Sequence, residues 1–274
     1  MKNYNFPDIN QAIEGANSVN EICVNYINIL NSTGNLFHHI YANKLSEYLE
    51  IDEKIPLFED EFHIFKKFLR EWTQRNNVNI FIKTRKKDFI GFNEKIRLHY
   101  PDTDGINDLI GFRLILKTFE KDTIESVRLC YQLLNDLIKF FVIERKCLFL
   151  KANALRNVGN PNIPDIIIPY CSNILEGFED NVKDYIKNPK NTGYQSLHCC
   201  IQTPSNLVFE VQIRTFAMDL RADHQMYKNA KYSNSHIDLD YSNISLPGIA
   251  FDENNELLFD NSGLLRSSDI FNNI

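Results

Sequence analysis

The 274-residue sequence has no C-x-x-C pair, no Gly/Ser- or Pro-rich linker and no internal repeat. Nor does it contain an apolar run near the roughly 18 residues that a membrane span requires. Its six cysteines, Cys23, Cys130, Cys147, Cys171, Cys199 and Cys200, include one adjacent couple and no metal-ligand spacing. That excludes a zinc site or a disulfide framework as the organising device, and reduced, mostly buried thiols are expected. The opening MKNYNFPDINQAIEGA has no basic segment followed by an apolar one, so the expectation is a cytoplasmic chain with no membrane association.

What is present is ordinary for a globular protein: 43% hydrophobic and 24% charged residues, too apolar for disorder of the whole chain. The net charge of −6 is unevenly spread. Residues 1–80 carry eleven acids and seven bases, residues 233–274 seven acids and one base, and the block between them 22 bases and 18 acids. The middle block is the positive part, where a phosphate-bearing ligand is expected.

Apolar residues at three- and four-residue spacing predict helices over about 9–31, 36–50 and 58–76. From Ile80 short β-prone runs take over. IGFRLIL at 110–116 has bulky residues on both faces, as an interior strand needs. The next segment predicts a helix opened by a capping box of Asp122 and Glu125, with Ile124, Val127, Tyr131, Leu134 and Ile138 as one stripe. Further strands are predicted at about 141–150, 195–202 and 207–215, and a final helix at 216–231. The domain reading is a helical region (1–79), an α/β domain (80–232) and an acidic tail (233–274).

Four segments of the middle block carry chemistry. In IFIKTRKKDFIGFNEKI, Lys83, Arg85 and Lys87 are two apart and project from one side of a strand, while Gly91 and Lys95 share a face of the helix that follows. Such cations can surround a polyphosphate, although a Lys/Arg run is more often a solvated surface. In INDLIGFRLIL, Asp108 stands near a strand start, a position from which a carboxylate can hold Mg²⁺ or simply form a turn. Gly111 admits a close neighbour, and Arg113 lies five residues beyond Asp108.

In DYIKNPKNTGYQSLHCC a turn is followed by Tyr194, Ser196 and His198 on one face and Leu197, Cys199 and Ile201 on the other, which suits either a base-stacking wall or a half-buried strand. In LVFEVQIRT, Phe209, Val211 and Ile213 alternate with Glu210, Gln212 and Arg214. An acid, an amide and a guanidinium aligned on one face of a central strand cost desolvation unless something satisfies them.

Together these residues resemble the synthetase domain of the RelA/SpoT family. The matching motifs are Arg85, Lys87 and Lys95 in the basic segment, Asp108, Gly111 and Arg113 in D-x-x-G-x-R, the run from Asp184 to His198, and E-x-QIRT from Glu210 to Thr215. Three places depart from the family pattern: Gly91 stands where serine is usual, Lys-Asn-Thr-Gly precedes Tyr194, and FAMDLRADHQMYKNAKY after Thr215 only partly matches the family's final helix, so the resemblance assigns no role to His224 and Lys228. The resemblance implies a nucleotidyltransferase-like α/β (α+β) mixed sheet flanked by helices, with an N-terminal helical layer, in which ATP donates its β,γ-diphosphate. It further implies that Lys83, Arg85, Lys87, Lys95 and Arg113 bind ATP, and that Asp108 and Glu210 are the catalytic and Mg²⁺-ligating acids. Tyr194, His198, Gln212 and Arg214 would bind the acceptor. The first 80 residues are too few for the family's hydrolase domain, so a small synthetase is expected.

The leading expectation is synthesis of (p)ppGpp from ATP and GDP or GTP. A second keeps the chemistry and changes the acceptor: a toxin, neutralised by a cognate antitoxin, that modifies the 3′-terminal adenosine of tRNA or makes adenosine alarmones. The acidic balance of residues 1–80 weighs against tRNA, whose binding rests on many basic contacts. A third is an inactive regulatory module on the same fold. Assembly into a homo-oligomer stays open.

Overall fold

A computed structural model describes residues 4–101, 103, 106–118, 122–152, 173–190 and 193–222. Cys171, the turn residues Asn191 and Thr192, the final helix beyond 222 with His224 and Lys228, and the acidic tail lie outside the described residues. Those described divide into two compact units. One comprises the residues up to His63 together with Lys87–Leu109; the other comprises Ile64–Lys86 and the described residues from Ile110 onward.

The first unit is helical. The segment expected as one helix over 9–31 is two, α1 (Asn10–Ile13) and α2 (Val19–Ser32). Gly15 takes φ +77° between them, and Ser18 then caps α2 by accepting from the Glu21 amide. Next come α3 (Leu36–Glu50), capped by Asn35, and α4 (Ile55–Asn76), which begins three residues earlier than expected and runs on into the second unit. Helix α5 (Phe89–His99) starts at Asp88, whose side chain accepts from the Gly91 amide at 2.7 Å. Tyr41 of α3 donates to the carbonyl of Asn93 in α5 at 2.9 Å, so packing of these two helices ends in a buried, satisfied hydroxyl.

The second unit is a six-stranded mixed sheet with helix packed on it. Its strands are β1 (Ile80–Lys86), β2 (Ile110–Leu116), β3 (Leu148–Leu150), β4 (Val182–Asp184), β5 (Leu197–Gln202) and β6 (Val208–Thr215). The order is β1-β2-β6-β5-β3, with β4 also pairing β5; β2 and β6 are parallel and every other pairing is antiparallel. Strand β2 coincides with the sequence reading and is buried along almost its whole length.

On one side of the sheet Phe65, Phe112, Phe141 and Phe209 form a closed ring of aromatic contacts, with centroids 5.1 to 5.7 Å apart. Each such ring contributes roughly 1.5–3 kcal/mol by leaving water. Among the described residues no helix is long and apolar enough to cross a membrane, and four of the described cysteines are buried.

Three expectations are corrected. Helix α6 (Ile124–Ile138) is capped by Thr123 and Ser126, not by Asp122 and Glu125. Asp122 is instead taken by partners distant in sequence, Thr215 and Arg221. Ile124 is 72% exposed, so the buried stripe begins at Val127. The expected strand 141–150 is helical over its first four residues: α6 widens into a π-helical turn, Lys139–Glu144, and only Leu148–Leu150 pairs in the sheet. A short apolar run such as KFFVIE satisfies both periods, and here the buried Phe140 and Phe141 prolong the helix.

Candidate active site

In the first unit Asp108 is held by two lysines. Lys87 Nζ lies 2.9 Å and Lys95 Nζ 2.5 Å from its Oδ2. Lys95 comes from the body of α5 and Lys87 from just before it, and the Lys87 amide donates to the Leu109 carbonyl at 2.7 Å, next to Asp108. Three residues that the sequence placed in the same chemistry, Lys87, Lys95 and Asp108, thus meet, with the two ammonium groups outnumbering the one carboxylate.

In the second unit the strand register assembles the rest. Lys83 of β1 is opposite Arg113 of β2, Arg113 opposite Gln212 of β6, Gln212 opposite His198 of β5, and His198 opposite Lys183 of β4. Directly paired residues project to the same face, so these five form one polar rank across the sheet. The next rank on that face is Gly111, Glu210 and Cys200. Gly111 is glycine because of the neighbouring backbone: a Cβ there would stand 2.4 Å from the Glu210 carbonyl oxygen.

Glu210, Gln212 and His198 on this face are buried, and with Arg113 they are tied to one another. Gln212 Nε2 donates to Glu210 Oε2 at 2.6 Å, Arg113 Nε donates to Gln212 Oε1 at 3.2 Å, and His198 Nδ1 is 3.0 Å from Glu210 Oε1. His198 Nε2 is in turn 2.8 Å from the Tyr194 hydroxyl. Burial pushes the His198 imidazole below its ordinary pKa, against the pull of Glu210 in the other direction. The neutral ring has one N–H; with a carboxylate at Nδ1, the proton sits there and Nε2 accepts from Tyr194. The desolvation that the sequence left open for Glu210 and Gln212 is therefore met by this hydrogen-bonded chain.

Tyr194 follows Gly193, whose φ of +79° makes the turn, and its ring has cations against it: Lys190 Nζ 5.0 Å and the Arg214 guanidinium 5.7 Å from its centroid. Lys190 also lies 4.7 Å from the Tyr185 ring, which meets His198 edge-on at 5.2 Å. Behind this turn Asp184 accepts from the Tyr131 hydroxyl at 2.9 Å and from the Lys187 amide at 2.8 Å. The pair locks the DYI segment to α6.

Arg214 is fully buried and reaches Asp219, which sequence reasoning missed. Asp219 is 1% exposed, accepts from Lys83 Nζ at 3.0 Å, and lies 2.7 Å from Arg214 Nη2 and 3.8 Å from Arg113 Nη1. Its position in FAMDLR, just past β6, gave no signal, because its partners come from three strands. The register places the Arg85 backbone in the Glu210 rank. No group of three or more His, Cys, Asp or Glu side chains that could hold a metal ion occurs among the described residues. The available donors for one are carboxylate oxygens, the kind Mg²⁺ takes singly or in pairs alongside substrate phosphates.

Comparison with known proteins agrees with the motifs. Residues 166–236, which include β4, β5 and β6, match a family profile described as a region found in RelA / SpoT proteins. Over 196 residues the chain is 27% identical to a probable guanosine-3′,5′-bis(diphosphate) 3′-pyrophosphohydrolase of Mycoplasma pneumoniae, covering 70% of this chain and 20% of that protein. Over 68 residues it is 46% identical to the GTP pyrophosphokinase YwaC of Bacillus subtilis, covering 20% of this chain and 32% of that protein. Among solved structures, the small alarmone synthetase 2 from Bacillus subtilis aligns with 70% of this chain and 83% of its own, at 21% identity and a TM-score of 0.43. The chain spans about a fifth of the length of the long curated relatives it matches. With its Glu210–Thr215 motif inside the profile match, this chain carries the region found in RelA/SpoT proteins.

Proposed function

We propose that this protein is a diphosphotransferase that moves the β,γ-diphosphate of ATP onto the ribose 3′-hydroxyl of GDP or GTP. The observation that carries the reading is the polar face of the second unit. There the cations Lys83 and Arg113 stand in register with a row leading to Glu210, and Glu210 is tied through His198 to the aromatic ring of Tyr194. Cations for a polyphosphate, an acid for a hydroxyl proton and a ring for a base are the parts such a transfer requires.

In the reaction the acceptor 3′-oxygen attacks the β-phosphorus of ATP, the bond from that phosphorus to the bridging α-oxygen breaks, and AMP leaves. Glu210 takes the hydroxyl proton. Its two oxygens already accept from His198 and Gln212, and a carboxylate has about four lone-pair positions, so it retains the capacity for this. Lys83, Arg85, Lys87, Lys95 and Arg113 bind the ATP phosphates, and Tyr194 stacks on the acceptor base, with His198, Gln212 and Arg214 ordering that side. Asp108 and Glu210 are the carboxylates that would offer oxygens to Mg²⁺, an ion that would supply neutralisation of the charge that develops on the phosphoryl oxygens.

The test is incubation of the purified chain with γ-labelled ATP and Mg²⁺ in the presence of GDP, GTP or bulk tRNA, and separately with a guanosine 3′-diphosphate and no ATP. Label on GDP or GTP with release of AMP is expected. Label on tRNA instead would move the acceptor to the RNA 3′ end. Loss of the 3′-diphosphate without ATP, and no transfer to any acceptor, would make the chain a hydrolase like those its long relatives are named for.

A further inference from the structure

We infer that Asp219, through its grip on Lys83, Arg113 and Arg214, is a positioning residue that turns three separate strand cations into one fixed receptor for a polyphosphate. The inference rests on the reading of Lys83 and Arg113 as ATP contacts and extends it to a residue that takes no part in the chemistry.

The geometry divides the group into a base and a reach. Asp219 and Arg214 are the base, each with a side chain 1% exposed and 2.7 Å apart. The Nε, Nη1 and Nη2 atoms of Arg214, and Oδ1 of Asp219, are buried without a hydrogen bond, so the guanidinium is held there by the Asp219 charge and the face of the Tyr194 ring. A buried arrangement of that kind is costly and is kept where it serves something other than stability.

Lys83 and Arg113 are the reach. Their side chains are 18% and 19% exposed, and they stand opposite each other on β1 and β2. Lys83 spends one of its three N–H groups on Asp219 Oδ2, which leaves the remainder of a fixed ammonium to face an anion. Three cations about one carboxylate leave an excess of positive charge, which suits a polyphosphate and is unfavourable without one.

The sign of the charge effect makes the inference testable. If Asp219 merely offset positive charge near the ATP phosphates, its neutralisation would tighten ATP binding. If it positions Lys83 and Arg113, neutralisation loosens binding. The experiment is calorimetric titration of the full chain with a non-hydrolysable ATP analogue and Mg²⁺, for the wild type, Asp219→Asn, Lys83→Met and the double variant. The expected result is binding weakened about tenfold by Asp219→Asn, and a combined effect well below the product of the two single effects, because both act through the same ammonium.

Analogue binding by Asp219→Asn at wild-type strength or tighter, or effects that multiply, would overturn the inference. If Asp219→Asn does not fold, the pair Arg214→Met with Asp219→Leu, which replaces the buried ions by apolar side chains of similar size, takes its place with the same expected loss and the same contradiction. A wild type that does not bind the analogue sinks the ATP reading itself.

Discussion

Gly111 of β2 and Glu210 of β6 are register partners, placed so closely that a methyl group on Gly111 would stand 2.4 Å from the Glu210 carbonyl oxygen. The glycine therefore sets the separation of two adjacent strands at the residue that carries the proposed base. Gly111→Ala should cost about 1–3 kcal/mol of stability, because backbone has to yield to the new methyl. Thermal unfolding checks this, with a fall of several degrees in Tm expected. An unchanged Tm would mean that β2 and β6 are not held at this distance.

Tyr194 combines a ring and a hydroxyl that do different work. Tyr194→Ala should raise the acceptor KM more than the ATP KM, since the stacking surface belongs to the acceptor. Tyr194→Phe keeps the ring and strands the buried Nε2 of His198, at a cost of roughly 1–3 kcal/mol. Steady-state kinetics with each substrate varied in turn decide the matter, and equal changes in both KM values for Tyr194→Ala would remove the stacking assignment.

Asp184 offers a pH test. Burial raises its pKa above the ordinary carboxylate range, and hydrogen bonds from the Lys187 amide and the Tyr131 hydroxyl oppose the rise without cancelling it. An acid that holds its proton more tightly when folded contributes stability that is fully present below its unfolded pKa and is lost as pH climbs through the folded one. Relative to the wild type, Asp184→Asn should gain stability between about pH 4 and neutral pH. Denaturant midpoints across that range check it, and a relative loss on raising the pH contradicts it.

Asp122 fastens the end of β6. Its carboxylate accepts from the Thr215 hydroxyl and lies 2.5 Å from Arg221 Nη2, which also donates to Gln195 Oε1 at 3.0 Å. Asp122→Ala takes the acceptor from the Thr215 hydroxyl and the carboxylate from Arg221, and should destabilise by about 3 kcal/mol, measured by chemical denaturation. A loss within a few tenths of a kcal/mol would show that the contact carries no stability.

The parts legible from sequence were those fixed by local pattern. Strand β2 was readable because IGFRLIL is bulky on both faces, and β6 because Phe209, Val211 and Ile213 alternate strictly with Glu210, Gln212 and Arg214. Side-chain periodicity also set which residues share a face, so Glu210 and Gln212 meet as expected. Contacts between residues far apart in the chain were not readable. Asp122 looked like a cap because Glu125 follows it, yet Thr215 and Arg221 claim it. Asp219 looked like an ordinary helix residue, and its three cations arrive from β1, β2 and β6. The three-residue β4 is too short to show a period, and in KFFVIE the helical and extended patterns coincide.

The claim on which the rest depends is that Asp108 and Glu210 serve one transfer. Its most direct measurement is the rate at which AMP and 3′-diphosphorylated GDP or GTP appear from ATP, for the wild type, Asp108→Asn and Glu210→Gln, with unfolding curves recorded alongside. Equal amounts of the two products are expected from the wild type, and in both variants a kcat lower by about 100-fold or more with folding retained. Transfer at the wild-type rate by either folded variant would contradict that claim.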